Sequence, residues 1–216
     1  MARVKIGNVF PPLAWLMERC APAGYGCGEV YGRGLQNVAE VDACVAGGVY
    51  TFVGGANSSV IVVNGVEIGY ANIMVAPFTD NANTTQIMRP VNPAIDSLLI
   101  RHKSGETWGE WEWENPPMLA GVEYRTTERW NGKAVYTALV NVGAFPESGM
   151  TNAETGITAT GIVRFHAAIG YTTLPLAGNM EINTFHTGEE ITVQLHTDGE
   201  RIYTNDVMVT LYYIKN

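Results

Sequence analysis

Residues 190–197, EITVQLHT, alternate strictly between polar and apolar side chains. The apolar positions are Ile191, Val193 and Leu195, and the polar positions between them are Thr192, Gln194 and His196. Successive side chains of a strand point to opposite faces of a sheet, so one face of this strand would be apolar and the other polar. The pattern therefore predicts a half-buried strand of an antiparallel sheet.

Similar runs recur through the C-terminal part of the chain. We expect six strands, roughly at 133–142, 157–167, 171–176, 180–185, 189–196 and 206–215. Asn131-Gly132, just before the first of them, is a strong signal for a tight turn. Six such strands joined by turns indicate an antiparallel β-sandwich over residues 119–216.

The region before residue 119 predicts two further segments. Short runs rich in β-branched and aromatic residues, VYTFVGG, SSVIVVNG and ANIMVAPF, indicate a compact β-rich unit over residues 35–118. Residues 1–34 combine a possible short helix at 13–20 with the glycine-rich stretch GYGCGEVYGRG, and we interpret them as an attachment segment. The predicted fold class is mainly β, with a short helical and glycine-rich N-terminal segment.

Residues 104–117, SGETWGEWEWENPP, hold three tryptophans in six positions. In a strand, Trp111 and Trp113 would share one face, while Glu110, Glu112 and Glu114 would share the other. We expect the two indoles to be buried and the carboxylates to face solvent. Two alternatives remain open: indoles exposed as platforms for sugar rings, and carboxylates paired for glycoside hydrolysis.

Composition excludes several classes of function. The formal charge of −8 leaves no basic stripe for nucleic acid. No apolar run reaches the roughly 20 residues of a membrane-spanning helix, and Pro11 and Pro12 interrupt the stretch that a signal peptide would need. We expect a protein made in the cytoplasm without a signal peptide or membrane insertion.

No catalytic, cofactor or metal motif stands out in the sequence. GxSxG, GxxxxGK[ST] and a strand-flanked GxGxxG are all missing, so we expect neither an enzyme nor a bound cofactor. The histidines lack the spacing with which one element binds a metal, although His166 and His196 could meet across strands, or across the symmetry axis of an oligomer. The remaining histidines are His102 and His186. Cys20, Cys27 and Cys44 lack CxxC pairing, and we expect reduced, structural thiols.

The order of features in residues 46–113 resembles the pyocin-knob type of domain found in phage and pyocin tail fibres. In such domains a Gly-x-Tyr strand precedes a Thr/Gln-rich segment, an arginine and a closing Trp-x-x-Trp. The matching residues here are Gly48, Tyr50, Thr84, Thr85, Gln86, Arg101, Trp108 and Trp111. The following stretch, GVEYRTTERWNGKAVYTALVNVGAFP, is similar to the junction into the tip domain of phage receptor-binding proteins.

The resemblance implies a virion tail component, usually a homotrimer, whose N-terminal segment meets other tail proteins. It implies host attachment, through the C-terminal sandwich, to a bacterial cell-surface glycan or protein. Two alternatives stay open: a glycan depolymerase, and a purely structural tail or baseplate subunit.

Strand parity locates the expected receptor surface. If consecutive strands of the sandwich alternate in direction, the loops 143–156, 177–179 and 197–205 share one end, and 168–170 and 186–188 share the other. The first set contains Met150 and the candidate receptor-binding residues Phe145, Asn152, Asn179, Asp198, Arg201, Tyr203 and Asn205. Aromatic, amide and charged groups of this kind suit a binding surface.

Overall fold

The computed structural model describes residues 34–77, 82–169, 172–174, 180–199 and 205–216, with 172–174 described by backbone alone. The prediction of a mainly β protein is confirmed. The chain divides into two compact units, Met1–Trp111 and Glu112–Asn216, and the expected boundary at residue 118 stays a prediction. The predicted helix at 13–20, the glycine-rich stretch after it, Cys20 and Cys27 lie outside the described residues. No helix in the described ranges is long and apolar enough to cross a membrane.

The described part of the first unit is a twisted antiparallel sheet with one short helix. The sheet has the order β1-β4-β5-β6, with β7 pairing to β6, and β2 and β3 form a separate hairpin. The elements are α1 (Val38–Ala43), β1 (Gly48–Phe52), a 3-10 turn (Gly54–Asn57), β2 (Ile61–Val63), β3 (Val66–Ile68), β4 (Tyr70–Pro77), β5 (Asn83–Asn92), β6 (Leu99–Ser104) and β7 (Thr107–Trp108).

Helix α1 was not predicted, although its start signal is in the sequence. Asn37 is the N-cap, and its side chain accepts a hydrogen bond of 2.9 Å from the backbone N–H of Glu40. The Glu40 carboxylate reaches back to accept from the backbone N–H of Gln36 at 2.8 Å. Asn followed three residues later by Glu is a capping-box pattern, which satisfies N–H groups that the first turn leaves unpaired.

Arg101 fastens α1 to the sheet. Its Nε and Nη2 donate to Gln86 Oε1 at 2.9 and 2.8 Å, and Nη2 also donates to Asp42 Oδ1 at 2.6 Å. Gln86 Nε2 donates in turn to the carbonyls of Val41 and Cys44, both at 2.8 Å. The buried sheet residues thereby satisfy polar groups at the C-terminal end of a helix that has too few turns to be stable alone.

Two tryptophans complete this group, which we call the Arg101 cluster (Asp42, Gln86, Arg101, Trp108 and Trp111). The Arg101 guanidinium carbon lies 4.3 Å from the ring centroid of Trp108 and 4.3 Å from that of Trp111. Trp108 Nε1 donates to the Asp42 carbonyl at 2.9 Å. Burial lowers the pKa of Arg101, and the bonded Asp42 carboxylate acts against that shift, so the guanidinium stays charged where the indole faces attract it.

The second unit is an antiparallel sandwich with one parallel pair at its start. One sheet has the order β8-β9-β10-β16-β12-β13, and the other has the order β11-β15-β14. The strands are β8 (Glu112–Trp113), β9 (Glu123–Trp130), β10 (Lys133–Ala144), β11 (Gly149–Thr158), β12 (Gly161–Ile169), β13 (Thr172–Leu174), β14 (Met180–Thr187), β15 (Glu190–Thr197) and β16 (Asp206–Ile214). Asn131 and Gly132 form the predicted turn between β9 and β10, with φ of 49° and 77°.

The sandwich core follows the predicted alternation. Ile191, Val193 and Leu195 of β15 are buried, and they belong to one cluster with inward residues of the larger sheet. The main contributors from that sheet are Ala138, Val140, Val207, Val209 and Leu211. Apolar side chains from both sheets thus close over one core.

The strand β11 corrects the predicted loop at 143–156. The segment GMTNAETGIT pairs with β15, with Asn152 opposite Gln194 and Thr151 opposite Leu195. Three of its residues, Met150, Ala153 and Ile157, are apolar, and two are glycines, so its hydrophobic pattern is weak. An edge strand needs little burial of its own because pairing to β15 supplies its backbone hydrogen bonds.

The additional strand also corrects the assignment of loops to the two ends. Ala144 pairs with Asp206, and Ile169 pairs with Val207, so the end of β10, the start of β16 and the end of β12 lie together. Residues 168–170 were expected at the other end from 143–156, and that expectation is wrong. The expectation failed because β11 reverses the chain once more, so that β12 runs in the same direction as β10 and both are antiparallel to β16.

The side chains of the tryptophan segment agree with the predicted burial only in part. Trp113 is fully buried and meets Tyr124 edge to face at 5.8 Å, whereas Trp111 is half-buried beside Arg101. Glu110 and Glu114 are exposed, but Glu112 is buried at 7% relative exposure, contrary to expectation. Arg129 Nη2 donates to both Glu112 oxygens at 2.7 Å, and Arg125 Nε donates to Oε1 at 2.8 Å. Two guanidinium groups compensate the carboxylate for its lost hydration.

We expect Arg101→Lys to lower the free energy of unfolding by about 2–4 kcal/mol, since an ammonium replaces neither the planar stacking nor the paired bonds to Gln86. Urea unfolding followed by fluorescence measures the loss. The matched control is Arg89→Lys, whose partner Asp96 is fully exposed at the surface, and we expect a change within about 0.5 kcal/mol there. Equal effects of the two substitutions would contradict the structural role of Arg101.

We expect Trp113→Ala to cost about 3–5 kcal/mol of unfolding free energy, because it removes a fully buried indole from beside Tyr124. Trp130→Ala is the control, since half of that side chain is exposed at the end of β9, and we expect a change within about 0.5 kcal/mol. Chemical denaturation at one pH compares both variants with the wild type. A loss below 1 kcal/mol for Trp113→Ala would refute its core position.

Candidate functional site

The outer face of the three-stranded sheet is the candidate binding surface of the second unit. Directly opposite residues of paired strands share a face, so the pairings of β11, β15 and β14 define three rows across it. We call this surface the amide face, and its rows are Met150–His196–Glu181, Asn152–Gln194–Asn183 and Glu154–Thr192–Phe185.

The middle row is a ladder of three carboxamides. Gln194 Nε2 donates to Asn152 Oδ1 at 3.1 Å, which fixes these two side chains against each other. Asn152 and Asn183 are exposed, and Gln194 is half-buried between them. Within the described part of the chain, no protein group bonds the Asn183 carboxamide. Each carboxamide both donates and accepts, so the row offers paired hydrogen-bonding sites of the kind that hydroxyl groups use.

The flanking rows add apolar contact area and carboxylates. Met150 is 67% exposed and Phe185 is 37% exposed, although each is a large apolar side chain. Glu154 and Glu181 lie in different flanking rows, on the two edge strands. The Glu181 carboxylate is 3.7 Å from His196 Nδ1, and the central Thr192 bonds Thr187 hydroxyl to hydroxyl at 2.8 Å. Exposed apolar patches beside free hydrogen-bonding groups are typical of ligand surfaces.

A cleft runs beside the amide face, between β12 and β14. Its volume is about 540 Å³. Polar and apolar groups both line it, and the polar side chains belong to His166, Glu181 and Asn183. The apolar lining residues are Phe145, Phe165, Ala167, Met180 and Ile182. Because Glu181 and Asn183 belong to both surfaces, the cleft continues the amide face around the edge of β14.

The structure distributes the predicted receptor-binding residues among different environments. Asn152 lies in the middle of the amide face, and Met150 lies beside it, so both belong to a sheet surface and not to a loop. Asp198 and Asn205 are exposed next to β15 and β16. Phe145 is only 1% exposed and lines the cleft from within the core. Asn179, Arg201 and Tyr203 lie outside the described residues.

Sequence reasoning did not single out Gln194 and Asn183 as binding residues. Both stand at polar positions of alternating strands, and that alternation shows them to be solvent-facing. Their alignment with Asn152 depends on the register of β11 and β14 against β15, which the sequence does not specify. The sequence did mark these two residues, because they occupy the polar positions of the same polar–apolar alternation whose apolar positions predicted the core.

The described residues do not form the paired-carboxylate site or the histidine metal site that the sequence left open. Glu112 is engaged by two arginines, which leaves neither oxygen free to attack a sugar or to hold a proton for a leaving group. His166 meets the Tyr212 ring edge to face, whereas His196 lies beside Glu181. Among the described residues, no group of three His, Cys, Asp or Glu side chains could hold a metal ion. Cys44 is a buried free thiol, and burial raises its pKa.

Comparison with solved structures gives similarity to pyocin fibers. An N-truncated R2-type pyocin tail fiber is 11% identical, with a TM-score of 0.27, over 83% of this chain and 94% of that one. The R1 pyocin fiber of P. aeruginosa, C-terminal residues 323–701, is 10% identical, with a TM-score of 0.29, over 86% and 66%. For the R2 pyocin fiber of P. aeruginosa, residues 323–691, the values are 11%, 0.27, 83% and 65%.

This chain thus spans slightly less than two thirds of those two P. aeruginosa fiber chains. No protein-family model and no curated protein matches the chain. At such low identities and TM-scores the similarity assigns no function.

Proposed function

We propose that this chain is a tail-fibre or tail-tip receptor-binding protein, which attaches a virion to a glycan on the bacterial surface through its second unit. The carboxamide row Asn152–Gln194–Asn183 carries the proposal. Sugar hydroxyls are donors and acceptors at once, and neighbouring carboxamides can pair with them from a rigid strand scaffold. A protein receptor is the second candidate, favoured by the exposed Met150 and Phe185.

The Arg101 cluster supports the tail-fibre part of the proposal. Gln86, Arg101, Trp108 and Trp111 were singled out by the resemblance to pyocin-knob domains, and in the first unit they converge on one another around Asp42. Residues far apart in sequence that meet in one contact network have a shared physical role. Here that role is to hold the helix α1 against the sheet.

We further propose a homotrimer in which the N-terminal segment 1–34 meets other tail proteins. An apolar row crosses the first unit's sheet at Val49, Met74, Ile87 and Ile100, which pair successively across β1, β4, β5 and β6. Val49 and Met74 are 50% and 45% exposed. Such a row is suited to contact between copies. Three binding faces on one fibre would also raise the effective concentration of sites near a cell.

Asn183→Ala combined with Gln194→Ala should reduce adsorption to susceptible cells at least ten-fold, since truncation removes the hydrogen-bonding groups at the centre and at one end of the middle row without touching the core. Adsorption is measured by depletion of fluorescent protein from suspension, across a panel of bacterial strains. The matched control is Asn72→Ala, an exposed strand carboxamide in the first unit.

Unchanged adsorption by the Asn183/Gln194 double variant, with the melting temperature preserved, would refute the amide face as receptor surface. Release of reducing ends from strain polysaccharides would favour a depolymerase instead. Failure to adsorb to any strain, without such release, would favour a structural tail subunit.

Sedimentation should give three times the chain mass of 23.4 kDa, and Met74→Glu should dissociate the assembly, because a charge would be buried in an apolar contact. Val62→Glu is the control, since Val62 is 59% exposed on β2 away from the apolar row. A wild-type monomer at micromolar concentration would contradict the trimer.

A further inference from the structure

We infer that the amide face prefers saccharides carrying protonated amines over neutral saccharides, and rejects anionic ones. The inference rests on the proposed glycan-binding function and adds the charge class of the ligand. It is based on the positions of the carboxylates on β11, β14 and β15. It is also based on the lack of lysine and arginine in the described residues of these strands.

The three described strands of this sheet contain no lysine and no arginine. Their sequences are GMTNAETGIT, MEINTFHT and EITVQLHT, with carboxylates at Glu154, Glu181 and Glu190. Asp198, exposed directly after β15, adds a fourth. Imidazoles are the only groups of these strands that can become positively charged, and one of them, His196, lies 3.7 Å from Glu181. The described residues of these strands therefore carry net negative charge, which disfavours phosphate- or carboxylate-bearing sugars beside them.

The carboxylates are placed to act on a ligand that the carboxamides hold. Glu181 lies one row from Asn183 on β14, and Glu154 lies one row from Asn152 on β11. Residues two apart on a strand are separated by about 6.6–6.8 Å, of the order of one sugar ring. Hydroxyls bonded to the middle row would thus place neighbouring substituents beside a carboxylate on either side. An ammonium group there gains a charge-assisted hydrogen bond.

The exposure of the two carboxylates limits the size of this preference. Glu181 is 70% exposed and Glu154 is exposed, so each interacts with a ligand charge through solvent and is screened by salt. One such exposed pair changes affinity by up to about five-fold at low ionic strength. We expect the two together to give a preference of about ten-fold, which falls as salt is added.

The test uses one pseudo-trisaccharide in three charge states. Tobramycin carries protonated amines at pH 7, its fully N-acetylated derivative is neutral, and its fully N-succinylated derivative is anionic. Isothermal titration with the full chain at 20 mM and 300 mM salt compares the three. We expect the affinity order cationic, neutral, anionic, with the cationic advantage shrinking several-fold at high salt.

Glu154→Gln with Glu181→Gln should remove most of the cationic advantage while leaving the affinity for the neutral derivative within two-fold. Glu67→Gln with Glu106→Gln is the control, because it removes two exposed carboxylates from the first unit and the same net charge. If both double variants lose the cationic advantage equally, binding follows net charge alone, and the inference is overturned.

Equal affinity for the three derivatives, tighter binding of the anionic one, or no binding of tobramycin would also overturn the inference. The proposed function is judged separately, by adsorption of the Asn183/Gln194 double variant to cells. Loss of adsorption together with a flat charge series would remove the amine preference and leave the receptor surface in place. Intact adsorption would remove the receptor surface whatever the charge series gives.

Discussion

The first unit depends on a buried charge that the protein must satisfy. Arg101 is 7% exposed, and leaving it without partners would cost far more free energy than the whole unit can spare. Gln86 and Asp42 accept its hydrogen bonds, and two indole rings approach it. Since Asp42 and the carbonyls bonded by Gln86 lie in or next to α1, satisfying the arginine also positions the helix. One buried cation thereby fixes geometry that a six-residue helix could not fix by itself.

The second unit contains a buried charge of the opposite sign, which is also stabilised by partners of opposite charge. Glu112 is a buried anion, and Arg125 and Arg129 approach it from the next strand in sequence. Both solutions use arginine, whose planar fork matches a carboxylate or an amide oxygen and whose charge persists despite burial. On the amide face the carboxylates Glu154 and Glu181 are exposed, and no described arginine bonds them. Polar side chains whose contacts are not needed to stabilise the fold are available to bind a ligand.

The sequence predicted correctly those features of the fold that depend on a few consecutive residues. The alternation at 190–197 gave the strand and its buried face, and Asn131-Gly132 gave the turn, because each depends on a few consecutive residues. Glu112 was expected to face solvent because its neighbours were tryptophans, but its environment is set by arginines 13 and 17 residues away. The strand β11 was missed because its stability comes from its partner and not from its own side chains. Asn152 was selected as a binding residue for its position in a supposed loop, and Gln194 and Asn183 were not selected at all.

The register of β15 links the core to the candidate site. Ile191, Val193 and Leu195 must face the core, so Thr192, Gln194 and His196 must face outward, and a shift of one residue would exchange the two sets. The hydrophobic face therefore also fixes the position of the carboxamide row. Substitutions of Gln194 and His196 should change binding and spare folding, whereas substitutions of the inward set should impair folding and binding together. This separation is what allows a sheet face to vary its ligand while its fold is kept.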